Sequence, residues 1–100
     1  MVKHIVLFKL GPFATAEERL TSLANIKQAL LNLKGKVEVL KAIEVGINSN
    51  PAEQFDLSLI TEFDSMEHLA EYAQHPDHVA VAKNLIGPLK QDRACVDYII

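Results

Sequence analysis

Apolar and polar positions alternate from the start of the chain. Val2, His4, Val6, Phe8 and Leu10 share one parity and Lys3, Ile5, Leu7 and Lys9 the other, which predicts a strand over residues 2–10. Gly11-Pro12 breaks it. Thr15-Ala16-Glu17-Glu18 then has the spacing of a capping box, in which hydroxyl and carboxylate take up the free amide donors of a helix start. Leu20, Leu23, Ile26, Leu30 and Leu33 follow at helical spacing until Gly35, giving a helix of about five turns. Alternation returns over residues 36–47, with Val37, Val39, Ile43, Val45 and Ile47 on one face. After the loop Asn48-Ser49-Asn50-Pro51, a third strand runs from Phe55 to Phe63.

Ser65 is placed to cap a short helix with Met66, Leu69, Ala70 and Ala73 on its apolar face. His75-Pro76 ends that helix and starts another, because the residue before proline avoids helical geometry while proline suits a first turn. Val79, Ala82 and Ile86 recur on one face of this last helix, with Val81 and Leu85 beside them, and Gly87-Pro88 ends it. A strand from about Arg93 to Ile100 closes the chain. The order βαββαβ predicts an α+β, ferredoxin-like fold: a four-stranded antiparallel sheet with the helices on one face. Residues 1–100 read as one domain.

The strand faces turned from the helices are also apolar, presenting Ile5, Leu7, Leu40, Ala42, Ile60, Cys95 and Ile99. A patch of that width marks an interface, and two such sheets face to face would enclose a barrel-like core. The expected working unit is a homodimer joined through its sheet faces. Composition agrees, since 49% hydrophobic residues is a surplus for 100 residues.

Charge narrows the partners. Ten Lys and Arg stand against 13 Asp and Glu, a formal −3, with the basic residues scattered. Even the densest group, Lys27, Lys34, Lys36 and Lys41, is interrupted by Glu38. Nucleic acid is therefore not an expected partner. The apolar run Ile5–Phe8 is too short for an export signal, and no stretch reaches membrane-spanning length. The single cysteine, Cys95, reads as a core or interface residue. The expected location is the cytoplasm.

Two segments carry a family resemblance: Val2-Lys3-His4-Ile5-Val6-Leu7-Phe8-Lys9, and Tyr72-Ala73-Gln74-His75-Pro76-Asp77-His78, with Cys95-Val96-Asp97-Tyr98 near the end. Together they resemble the stress-responsive dimeric α/β-barrel (Dabb) family over nearly the whole chain. The resemblance implies a ferredoxin-like protomer and a dimer, and for most members no settled biochemical role. One plant member, olivetolic acid cyclase, closes a linear polyketide by aldol condensation. Its catalytic tyrosine and histidine correspond to Tyr72 and His78, and its early strand histidine, which lines the pocket, to His4. A further pocket histidine of that enzyme aligns with Leu57, a departure that separates binding from the cyclase's own chemistry.

Read on their own, these residues leave alternatives open. His78 shares a helix face with Val81, Ala82 and Leu85 and could act as a partly buried neutral base beside a ketone, with Tyr72 holding the enolate oxygen. Equally, it could hydrogen-bond locally and fix the junction between helices. His4, among apolar neighbours, needs a partner, either a ligand or another protein group. His75 reads as a cap. The spacing His75-x-x-His78, with His68 and Asp77 nearby, offers half a metal site, but the proline bend splays it and no metal is assigned. Some relatives hold magnesium through backbone carbonyls, near Leu30, Leu33 and Lys36 here, an arrangement without a sequence signature. Asp56, Glu62 and Asp97 are expected on the dimer face as rim charges. No phosphate loop, Ser/His/Asp set or cofactor fingerprint is present, so no cofactor is expected.

The expected function is a small-molecule-binding dimer, its pocket between sheet and helices bordered by His4, Leu57, Tyr72 and His78. The alternatives are a cofactor-free acid/base enzyme using His78 and Tyr72, and a structural stress-response protein.

Overall fold

The opening alternation becomes strand β1, Val2–Leu10, in the computed structural model, which describes all of residues 1–100. Helix α1 covers Ala16–Leu31 and tightens into a 3₁₀ turn over Asn32–Gly35. Its start is capped as the spacing predicts, the Thr15 hydroxyl accepting from the Glu18 amide at 3.0 Å. The Glu18 carboxylate reaches one residue further back than in the usual box, to the Ala14 amide at 3.0 Å. Leu23, Ile26, Leu30 and Leu33 are buried, whereas Leu20 is 54% exposed. The apolar stripe thus begins one turn later than its spacing suggests.

Strand β2 is Ala42–Ile47, shorter than the predicted run, and β3 is Leu57–Phe63. Val37 and Leu40 are both 1% exposed, packed into the core from a turn in which the Leu40 amide donates to the Val37 carbonyl. Leu40 therefore belongs to the core and not, as expected, to the outer face. Helix α2, Met66–Gln74, is capped by Ser65, whose hydroxyl accepts from the His68 amide at 3.1 Å. Helix α3, Pro76–Val81, is capped by His75, whose Nδ1 accepts from the Asp77 amide at 3.1 Å, and it loosens into a π turn over Ala82–Ile86. Strand β4, Lys90–Ile99, completes the fold.

All strand pairs are antiparallel and the sheet order is β2-β3-β1-β4, the ferredoxin-like arrangement. The register assigns the faces, because residues directly opposite in paired strands point the same way. Val2, Val6 and Phe8 face the helices with Phe63, Leu59 and Leu57, and they anchor a core of 17 buried residues. The outer face carries Ile5, Leu7, Ile60 and Val96 at its centre, with Ala42, Glu62 and Lys3 toward one end.

Register also corrects the reading of β4. Ile99 lies opposite Val2, Asp97 opposite His4 and Cys95 opposite Val6, so these three side chains share the helix-facing side and not the outer face. Asp56, another presumed interface carboxylate, is bound inside the protomer. It accepts from the Leu10 amide at 2.7 Å and from Arg19 Nε at 3.1 Å, tying the start of α1 to the end of β1. Glu62 does lie on the outer face, opposite Lys3.

Candidate functional site

The helices do not cover the sheet evenly. Over β1 and β4 they leave a cleft of about 470 Å³, walled by Val6, Phe8 and Leu59 below and by Met66, Ala73 and Ile86 above. His4, Tyr72 and His78 all line it, so residues far apart in the chain meet as expected. Leu57 does not. It is buried at the opposite end of β3, paired with Phe8 and Ile47, and Leu59 stands in the cleft instead. Lys90, Arg93, Cys95 and Asp97 of β4 also line it and were not expected there.

Tyr72 is the centre of the site. Its ring is 1% exposed, the largest fully buried side chain, packed 5.1 Å from the Phe63 ring centroid and 4.4 Å from that of His78. Its hydroxyl is buried without a hydrogen-bond partner. A phenol left so loses about 1–3 kcal/mol relative to a satisfied one, so a group on this wall that finds no protein partner is fitted to a ligand or solvent oxygen. Burial pushes its pKa up to about 12, which keeps the proton on oxygen and the group a donor at neutral pH.

His78 is oriented by the chain just before it. The bend at His75-Pro76 brings its Nδ1 to 3.1 Å from the Ala73 carbonyl, which can only accept, so Nδ1 carries the proton and Nε2 keeps a free lone pair. Burial holds its pKa below the ordinary imidazole range, outweighing the opposite effect of the Ala73 bond, and His4, Arg93 and His75 push in the same direction as burial. Above that lowered value the ring is a neutral base.

His4 finds its partner across the strand pair. Its Nδ1 is hydrogen-bonded to Asp97 Oδ1, with side-chain exposures of 12% and 30%. Cys95 Sγ lies 3.5 Å from the same nitrogen and 3.6 Å from the same oxygen. Burial, then the Asp97 charge, raises the Cys95 thiol pKa, with Arg93 opposing. His75, His68 and Asp77 do not converge with His78: His75 caps α3, and the one grouping of three potential ligands is His4, Cys95 and Asp97. No helix is long and apolar enough to cross a membrane.

The cleft can therefore hold a small, mostly apolar molecule, donate a hydrogen bond from Tyr72 and offer a neutral base at His78. The β4 residues were missed because nothing in the sequence fixes which parity of β4 faces the helices: Cys95 and Val96, like Tyr98 and Ile99, are apolar neighbours on opposite parities.

Comparison with known proteins agrees with this architecture. The family described as the stress responsive A/B barrel domain, Dabb, matches residues 2–100. A stress-response A/B barrel domain-containing protein of Arabidopsis thaliana is 36% identical over 99 residues, which are 99% of this chain and 36% of that protein. A second Arabidopsis protein of the same description is 31% identical, and the chain covers 47% of it, so the chain spans less than half the length of these relatives. Among solved structures, a dimeric protein of unknown function with a ferredoxin-like fold from Bacteroides fragilis is 44% identical, with a TM-score of 0.91 over 99% of this chain and 95% of that one. A dimeric ferredoxin-like protein of unknown function from Thermobifida fusca is 25% identical, with a TM-score of 0.82 over 99% of this chain and 90% of that one. The chain belongs to the Dabb family.

Proposed function

For this Dabb domain we propose a homodimer joined through the outer sheet faces, each protomer binding one small, largely apolar molecule that carries a carbonyl oxygen. The observation that supports the ligand reading is the Tyr72 hydroxyl, buried and unpartnered on the wall of a mostly apolar cleft. A carbonyl supplies the acceptor that hydroxyl lacks, while the rest of the molecule meets Val6, Phe8, Leu59 and Ile86. The dimer is supported by the outer face, where Val96 is 53% and Tyr98 42% exposed beside Ile5, Leu7 and Ile60, and by the two relatives described as dimeric. Pairing there leaves each cleft, on the other side of its sheet, open. An unpaired thiol in the chain suits a reducing compartment such as the cytoplasm.

Calorimetry with acetophenone against ethylbenzene tests the ligand reading. The ketone is expected to bind about fivefold more tightly, and Tyr72→Phe to erase that preference, as one neutral hydrogen bond of about 1 kcal/mol requires. Equal binding of the two compounds by the parent protein overturns it. Sedimentation at micromolar concentration tests the dimer, which Ile60→Asp should dissociate while the circular dichroism of the fold persists.

A second reading is favoured by the His78 tautomer. With Nδ1–H held by Ala73, Nε2 could take a proton from the carbon next to the carbonyl while Tyr72 donates to the enolate oxygen, and return it on the reverse step. Exchange of the methyl protons of acetophenone in D₂O, followed by NMR, should then be accelerated by the parent and lost in His78→Ala. Equal rates for parent and variant would remove the catalytic role and leave binding.

A further inference from the structure

The His4, Cys95 and Asp97 cluster has an arrangement that proton relay does not explain. In a nucleophilic relay, thiol and carboxylate engage opposite nitrogens of the imidazole, so that the ring passes a proton through itself. Here both approach one ring atom: Cys95 Sγ stands 3.5 Å from His4 Nδ1, and Asp97 Oδ1 is bonded to that same Nδ1. Sγ is in turn 3.6 Å from the same Oδ1. Three donor atoms from three side chains thus converge on one point, all within 4.8 Å of one another.

Convergence is what a tetrahedral cation asks of its ligands. Zinc bonds of about 2.3 Å to sulfur and about 2.0 Å to nitrogen or oxygen place adjacent tetrahedral ligands about 3.5 Å apart. Both sulfur separations match that edge. Imidazole and carboxylate must part to admit the ion, exchanging their mutual hydrogen bond for two metal bonds, and the Asp97 side chain, 30% exposed, has room to turn. The backbone is already set. His4 and Asp97 are directly opposed across β1 and β4, and Cys95 lies two residues back on the same face. Thiolate and carboxylate supply two negative charges to a dication, and the mixed nitrogen, sulfur and oxygen set suits zinc better than magnesium or calcium. Arg93, next on that strand face, repels a cation and keeps the affinity below that of a closed four-ligand site.

We infer that His4, Cys95 and Asp97 form a three-ligand site for a zinc-class divalent cation on the β4 wall of the cleft. All three residues line the cleft, so the remaining coordination position adjoins the space available to a ligand or water. This site stands independently of any carbonyl ligand at Tyr72.

Cobalt(II) added to metal-free protein is a direct probe, because Cys95 is the only cysteine in the chain and a thiolate-to-cobalt charge-transfer band can arise from nothing else. The expected result is one cobalt per chain with that near-ultraviolet band, abolished by one equivalent of zinc and absent in Cys95→Ser. Asp97→Asn, with its fold verified by circular dichroism, should bind cobalt at least tenfold more weakly. Cobalt binding without the thiolate band, undiminished affinity in folded Asp97→Asn, or no binding by the folded parent at large metal excess would each overturn the assignment.

Discussion

The two edge strands of the sheet are finished in opposite ways. At one edge, β2 is closed: Val45 is 5% exposed, beneath the α1 layer and the buried Val37 and Leu40 of the preceding turn. At the other, every residue of β4 is exposed, on both faces of the sheet. One side of β4 turns polar and sulfur-bearing groups toward the cleft, and the other turns Val96 and Tyr98 outward. Stability of the protomer is therefore concentrated where α1 covers β2 and β3, and chemistry and assembly where the helices leave β4 bare. This division of labour is physical: a binding wall needs unsatisfied groups and open volume, both of which a packed core excludes.

The sharpest way to break the comparison is to make the same change at both edges. Val45→Ala should cost about 2 kcal/mol in urea unfolding, because it removes buried methyl groups and leaves a cavity. Val96→Ala should cost less than about 0.5 kcal/mol at concentrations where the protein is monomeric. Its cost should rise with protein concentration if a second copy covers the outer face, since binding of the folded state alone adds to apparent stability. Equal costs at all concentrations would erase the distinction between the edges.

Tyr72→Phe probes the cleft from the inside. Removing an unsatisfied buried hydroxyl should stabilise the ligand-free protein by about 1 kcal/mol, visible as a higher melting temperature. A loss of stability would mean that the hydroxyl is already satisfied.

The smallest effect is the pH response of His78. Its folded pKa lies below the unfolded value near 6.5, so the unfolded chain binds the proton first as pH falls. Stability is therefore complete above about pH 6.5 and is lost as pH falls from there through the lowered folded value. Urea titrations at stepped pH should show this loss, and His78→Gln should flatten it. An unchanged slope would place the titration elsewhere.

Much of this was legible in the order of residues. The bounds of β1 follow from alternation and the Gly11-Pro12 break, and Thr15, Ser65 and His75 cap the helices their positions suggest. Tyr72 and His78 are brought together by the turn that Pro76 imposes, a local effect over a few residues. The start of β2 was misread because Val37 and Leu40 are apolar for a different reason: they point inward from a turn, where periodicity carries no information about a strand. Tyr72 was absent from the expected apolar face of α2, although it is the largest side chain buried there, because a phenol gives no sign in sequence of which of its ends is enclosed.

By itself, then, the sequence determined the elements, their order and the outward parity of Ile5, Leu7, Ala42 and Ile60, since these depend on spacing along a few residues. Tertiary structure alone decided which side of β4 meets the cleft. A shift of one residue in the pairing of β1 with β4 would send Cys95 and Asp97 to the outer face and bring Val96 and Tyr98 beside His4. Strand parity is a local property, but the face to which each parity belongs is fixed only when the sheet closes, and on that register rests the meeting of His4, Cys95 and Asp97.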